Sequence, residues 1–369
     1  MNRARISVSR GMTLPELMVG MAVGLFVTTI AISTFVSTRT LNVVNSSSTR
    51  MTENARLATE TLHTDFRAAG FAGCRSLEDR LDAPPAGVLD SGLDAGLITE
   101  GNSGVRGFRG TGSAHAPALP DVIVDLPTAY PQPLRNSDVV SVRVPADNVA
   151  LGLISTMASS SASPRVSPGS AVAKGDVLLI SNCKAAAMFQ VTAATPNVDG
   201  ILVHDTGGAL IPGNSSTNLK HAFRSDATVY RMQTRHYYVA TSKLRLGTNS
   251  LWRLTIPAPA GGTPVPEEVA SGIDRLIVTF GVDTGVTPDS SVNRYMNASE
   301  VADWNFTGSD ATDWDRVLSA RVQLVAATAE DRMAVTKQNY KLDSGTQTPT
   351  DNRLRTVLTE VVTLRNGAP

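Results

Sequence analysis

Glu16 is the residue whose type and place most demand chemistry: a carboxylate at the head of residues 17–36, which are 20 residues without Asp, Glu, Lys, Arg or His. A charge inside hydrocarbon costs on the order of 2.5–3.5 kcal/mol at mid-helix on insertion scales, so an acid held there calls for a partner, expected from another molecule. Two thiols come next. Cys74 and Cys183 stand alone, without the neighbouring histidines a metal site needs, and in an oxidising compartment their default is a disulfide. Closing a loop of about a hundred residues stabilises by up to roughly 4–5 kcal/mol in the chain-entropy picture.

Other reactive types fall into weaker patterns. His63, His115, His204, His221 and His236 are scattered, without the HExxH spacing of a zinc protease, and no GxSxG elbow, GxGxxG fingerprint or Walker A loop occurs. Asp303, Asp310, Asp313 and Asp315 alternate with Trp304 and Trp314, a pattern that reads as packing plus solvated acids. Asp283, Asp289 and Asn293 could offer oxygens to calcium, but Pro288 and the spacing depart from an EF-hand loop, and a solvated hairpin loop is the expectation. The chain therefore reads as a non-enzyme, with no catalytic residue, metal or cofactor expected.

The elements that must hold Glu16 and the cysteines follow from periodicity. Residues 17–36 make a helix of about 30 Å, the thickness of a bilayer core. An ordinary secretory signal is one alternative, but its apolar core is shorter and the small-x-small match Ala31-Ile32-Ser33 lies inside the run. A plain single-span anchor is the other; it explains the length and leaves Glu16 without a reason. Arg3, Arg5 and Arg10 precede the span with no accompanying acid, which places the N-terminus in the cytoplasm and the bulk across the membrane. Without those three arginines, 30 basic face 33 acidic residues, a net of about −3, so bulk attraction to nucleic acid is not expected.

Beyond the span, small or apolar residues at Leu41, Val44, Ser48, Met51, Ala55, Ala58, Leu62, Phe66 and Ala69 continue one helix face, while Arg39, Arg50, Glu53, Arg56, Glu60 and Asp65 occupy others. Pro15 fits the first turn, and Gly70 and Gly73 supply the stop. Gly20 and Gly24 form a small-xxx-small pair suited to close helix approach. Residues 75–136 read as a long irregular connection with one strand at Val122-Ile123-Val124. Strand patterns follow at 139–144, 176–181, 187–192, 229–232, 235–240, 251–256, 276–280 (preceded by Ile273 and Asp274), 317–327 and 354–364. Residues 155–170 read as an exposed serine-rich loop and 330–352 as a polar, mobile connection.

The start, Gly11 followed by Met12-Thr13-Leu14-Pro15-Glu16, resembles the type III leader of type IV pilins and pseudopilins, although the first mature residue there is usually Phe. The resemblance implies cleavage by prepilin peptidase between Gly11 and Met12, methylation of Met12, and an assembly charge at Glu16, paired with the amine of Met12 of its own or a neighbouring chain. Downstream, Arg67-Ala68-Ala69-Gly70 leading to Cys74, Ser181-Asn182-Cys183-Lys184-Ala185 with Phe189, Tyr237-Tyr238-Val239-Ala240 with Leu251-Trp252-Arg253, Gly272-Ile273-Asp274, Phe280-Gly281-Val282-Asp283, Asp313-Trp314-Asp315-Arg316-Val317 and Val362-Thr363-Leu364-Arg365-Asn366 resemble the PilW family of minor pilins, itself similar to J-type minor pseudopilins.

That resemblance implies an α+β, type IV pilin-like fold, with a long N-terminal helix packed on antiparallel sheets. It divides the chain into a leader (1–11), a membrane-spanning half-helix (12–36), an amphipathic half (37–70), a first β-rich module (75–245) and a C-terminal one (250–369), with the split near 242–250. It implies a minor pilin that primes pilus assembly and resides in the tip complex, with cell adhesion and twitching motility among the behaviours served. Its partners would be other minor pilins, the major pilin, prepilin peptidase and a PilY-type tip adhesin. It would sit in the inner membrane, with its bulk periplasmic, before assembly and in the pilus afterwards. A minor pseudopilin of type II secretion and a membrane-anchored adhesin are the alternatives.

Overall fold

An uninterrupted run without proline after Pro15 lets the chain form one 55-residue helix, α1 (Leu14–Ala68). The computed structural model describes residues 12–73, 86–87, 104–182, 184–206, 210, 213–257, 264–287, 289–304, 314–331 and 333–366. Contacts divide the chain into two units, Met1–Arg50 and Met51–Pro369.

In the first unit, apolar side chains such as Leu17, Leu25, Phe26, Ile30 and Phe35 stand exposed around the helix. Its hydroxyls are satisfied within the helix. Thr28, Thr29 and Thr34 donate to the carbonyls of Gly24, Leu25 and Ile30 at 2.7–2.9 Å, which removes their need for water. An apolar surface with its polar groups already paired is suited to lipid, and by length and composition this helix can cross a membrane.

The second unit adds, in chain order, β1 (Ala86–Gly87), β2 (Val105–Gly110), β3 (His115–Ala116), α2 (Asp121–Val124), β4 (Val139–Gly152), β5 (Val177–Ser181), β6 (Ala186–Gln190), α3 (Pro196–Asp199), β7 (Thr228–Thr241), β8 (Asn249–Ile256), β9 (Glu267–Ser271), β10 (Ile273–Val282), β11 (Arg294–Asn297), α4 (Ala298–Asp303), β12 (Val317–Ala327), β13 (Tyr340–Leu342), β14 (Gly345–Gln347) and β15 (Arg355–Thr363). Long β7 organises the larger, nine-stranded sheet. Along one edge it pairs with β4; along the other its first half pairs with β5 and its second half with β8, which carries β9. The smaller sheet runs β11-β10-β12-β15, all antiparallel. The fold is thus α+β, a long helix with mainly antiparallel sheets.

Met51, Ala55, Ala58, Leu62, Phe66 and Ala69 share one core with Val140, Val142 and Tyr237 of the large sheet and Leu276, Phe280 and Leu324 of the small one. This is the amphipathic stripe of the sequence, at i, i+4, i+3 spacing. Gly70, at φ 69°, turns the chain out of the helix, and Asn366 Nδ2 donates to Ala69 O at 3.0 Å. The sheets are also joined by polar groups. Asp138, between β2 and β10, accepts from Gly110 N–H and Val278 N–H, both at 2.9 Å; burial raises its carboxyl above the usual range.

Several expectations change. Val122-Ile123-Val124 lies within the short helix α2, because Pro120-Asp121 sets a helical turn ahead of it. The strands expected at 229–232 and 235–240 are one, since Gln233 and Thr234 are buried between neighbouring strands. The stretch 242–250 is no boundary between modules: it includes the turn joining paired β7 and β8, and the change of sheet comes at Gly272, between β9 and β10. Residues 330–352 contain the β13–β14 hairpin, with Arg321 holding Asp343 at 3.1 Å.

Candidate functional site

At the head of α1 the Glu16 carboxylate folds back on its own turn. Thr13 N–H and Thr13 Oγ1 both donate to Glu16 Oε2 at 2.9 Å. Those neutral donors satisfy the acid locally without neutralising its charge, so it stays open to a cation from outside. Met12 is exposed beside it, and Gly11 lies outside the described residues.

A second carboxylate on the same helix is held quite differently. Asp65, expected off the apolar stripe, is buried: Arg235 Nη1 donates to Oδ1 at 2.7 Å and Tyr237 Oη to Oδ2 at 2.6 Å. Burial, then the adjacent Asp65 charge, holds the Tyr237 hydroxyl well above the ordinary tyrosine range, so it remains a donor. The signal was present in the sequence, because Asp65 lies three residues after Leu62 on the edge of the apolar stripe.

Cys74 and Cys183 lie outside the described residues. Their neighbours in sequence touch: Ser181 Oγ donates to Ala72 O at 2.7 Å, and a Cβ on Gly73 would come within 2.3 Å of Ser181 Oγ.

The residues weighed for catalysis are dispersed. His63 pairs with Glu360 of β15; His115 Nε2 lies 3.1 Å from Ser137 O; His204 Nε2 lies 2.9 Å from Thr217 O; His221 packs edge-on against Phe223. His236 Nδ1 meets Ser141 Oγ at 2.6 Å, and both side chains are buried as a cross-strand pair. Of the aspartate-tryptophan stretch, Asp310 and Asp313 lie outside the described residues. Trp314 packs edge-on against Phe280 with the Arg106 guanidinium over its ring.

In the loop weighed for calcium, Asp283 is buried and accepts N–H groups of Gly285, Asp289 and Ser290 at 2.8–3.1 Å. Asn293 Oδ1 accepts from Thr284 N–H. The oxygens that would face a cation there are engaged by the loop's own backbone. Among the described residues no cluster of three His, Cys, Asp or Glu suits a metal ion.

The chemistry thus concentrates on an apolar helix with one acid at its head and a β-rich body whose core includes that helix from Met51 onward. Residues 236–366, from within β7 through the end of β15, match the family model of PilW, described as type IV pilus-assembly protein W. No curated protein and no solved structure matches the chain. The family match points to a role related to type IV pilus assembly, with other pilus components as partners.

Proposed function

We propose that this chain is a minor pilin, cut by prepilin peptidase between Gly11 and Met12, methylated at Met12, and used to prime a type IV pilus in whose tip complex it resides. The observation that carries this reading is the union of two independent features in one chain. The PilW match covers only the β-rich end, residues 236–366, while the lone Glu16 heads an apolar helix at the other. The membrane half keeps the subunit in the inner membrane, its body in the periplasm, until assembly moves the same apolar surface among neighbouring helices. Burial of that surface is kept throughout, so leaving the bilayer forfeits little hydrophobic stabilisation. In that core Glu16 exchanges its Thr13 donors for the amine of Met12 on a neighbouring chain, because opposite charges attract most strongly where water is absent. Other minor pilins, the major pilin and a PilY-type tip adhesin are the partners this role brings.

The short approach between Ala72-Gly73 and Ser181 supports a bridge between Cys74 and Cys183 that pins the helix exit to the end of β5. The test is complementation: cells lacking the chain lose surface pili, the intact chain restores them, and Glu16→Leu does not. Normal pilus number with Glu16→Leu would refute the charge pairing, and normal number without the chain would refute the priming role.

A further inference from the structure

The small sheet ends on a strand with an open side. β15 is held along one edge by β12, with all 9 of its residues in register and no bulge. At the two ends of this ladder, Leu364 N–H donates to Leu318 O and Thr328 N–H to Leu354 O, both at 2.9 Å. The even-numbered residues of β15 therefore turn their backbone groups toward β12, and the odd-numbered ones turn theirs outward. Arg355 shows the outward direction, because its N–H donates to Gln338 Oε1 at 2.9 Å. Farther along, Thr359, Val361 and Thr363 are exposed, Val361 at 51%. Among the described residues their N–H and C=O groups meet no hydrogen-bond partner.

An edge of this kind receives another strand unless the sequence blunts it with proline, lysine, a bulge or brevity. Among the described residues every other strand that ends a sheet is short; β9, the longest of them, has 5 residues. β15 has none of these protections: Arg355–Thr363 reads RTVLTEVVT, without Pro, Lys or Gly. Its two charges are engaged within the body, Arg355 by Asp274 at 2.9 Å and by Asp351, and Glu360 by His63. Val362 lies in the core and Leu358 packs against it, so the strand is fixed before any partner arrives. A rigid edge loses little freedom on pairing, which favours binding.

We propose that β15 is a docking edge for another pilus subunit: an extended segment of that subunit pairs with Thr359, Val361 and Thr363 as a fifth strand of the small sheet. Only a peptide backbone offers donors and acceptors at the spacing of those groups. Selectivity comes from side chains that alternate beside Thr359, Val361 and Thr363, so the matching segment carries β-branched residues on that face. A second copy of this chain suits the edge less well. His63 meets Glu360, and Asn366 Nδ2 donates to Ala69 O, so α1 and β15 run the same way within the body. Antiparallel pairing of β15 with its own copy would set the two α1 helices in opposite directions, whereas subunits drawn from one membrane into one fibre run alike.

The proposal rests on the pilus reading, and one experiment separates the two. Piliated cells make the full chain with the photo-cross-linker p-benzoylphenylalanine in place of Thr359, Val361 or Thr363. Val286, 85% exposed in another loop, is the control position. The expected result is that all three edge positions join one segment of one other pilus subunit. The attachment point should move two residues along that segment for each two along β15, as strand pairing demands. Adducts no more frequent than at 286, adducts scattered without register, or adducts to a second copy alone overturn the docking edge. Val361→Pro removes an N–H that faces away from β12, and it should deplete the chain from sheared filaments several-fold against the membrane pool. Val361→Thr should leave recovery unchanged. Recovery of the proline variant at the wild-type level overturns the proposal, and the cross-linked chains, which keep the native backbone, decide the matter should that variant not fold. A chain present in filaments without strand-like adducts refutes the docking edge alone, whereas normal piliation without the chain refutes the pilus reading itself.

Discussion

Two of the four carboxylates of α1, Glu16 and Asp65, make a natural comparison. Glu16 is satisfied by its own first turn, through Thr13; Asp65 is satisfied across the fold, by Arg235 and Tyr237 of a strand 170 residues away in sequence. A local partner is exchanged without disturbing anything else, whereas a tertiary one cannot be lost without exposing the groups it holds. The same helix therefore carries an acid fitted to change partners and an acid fitted never to. From Met51 onward the helix shares the core of the body, and Asp65 belongs to that core.

Breaking the second arrangement should have the largest effect. Asp65→Ala takes the buried acid from between the half-buried Arg235 guanidinium and the Tyr237 hydroxyl, and the expected loss is about 3–5 kcal/mol of body stability, read by denaturant unfolding of the full chain in detergent. A loss under about 1 kcal/mol would mean that the pair is no lock. Cys74→Ser should cost about 2–4 kcal/mol, and reductant should lower the wild type to the same level and leave the variant unmoved. Equal stability of wild type and variant in the absence of reductant would dismiss the bridge.

Glu268→Gln sharpens the comparison, because Glu268 on β9 is an acid clamped by the β7–β8 turn. Burial alone would raise its carboxyl, but the Ser242 and Ser250 hydroxyls and the Lys243 and Leu244 N–H groups outweigh that and hold it below the ordinary glutamate value. A depressed folded value means stability that is fully present above the unfolded pKa of about 4.5 and lost as pH falls through the folded value. Glu268→Gln should therefore cost about 1–2 kcal/mol near neutrality, flatten the acid limb of the stability profile and speed amide exchange at Lys243 and Leu244. Glu16→Leu should be the mildest, changing body stability by under about 0.5 kcal/mol while abolishing piliation, since the acid is held by Thr13 of its own turn.

Much of this was legible in the residues themselves. Helix α1 could be read nearly end to end, because its apolar spacing, the place of Pro15 and the exit glycine Gly70 all agree. Strand β12 falls on 317–327, as its β-branched run indicates. What escaped was non-local. Gln233 and Thr234 look like a break in a strand unless both flanking strands are known, and the serines and glycine of 242–250 look the same in a linker as in a hairpin turn. Membership of one sheet or the other depends on partners far away in sequence. The cation of Asp65, Arg235, appears only once the strand is laid against the helix. The head of α1, by contrast, needed no partner to be noticed: a single acid opening an uncharged run is visible in the composition alone.

The most direct test of the central claim is mass spectrometry of the chain recovered from sheared and purified surface filaments. The expected result is an N-terminal peptide that begins at methylated Met12. Recovery of a chain that still carries residues 1–11, or its presence only in the membrane fraction and never among filament subunits, would contradict the account.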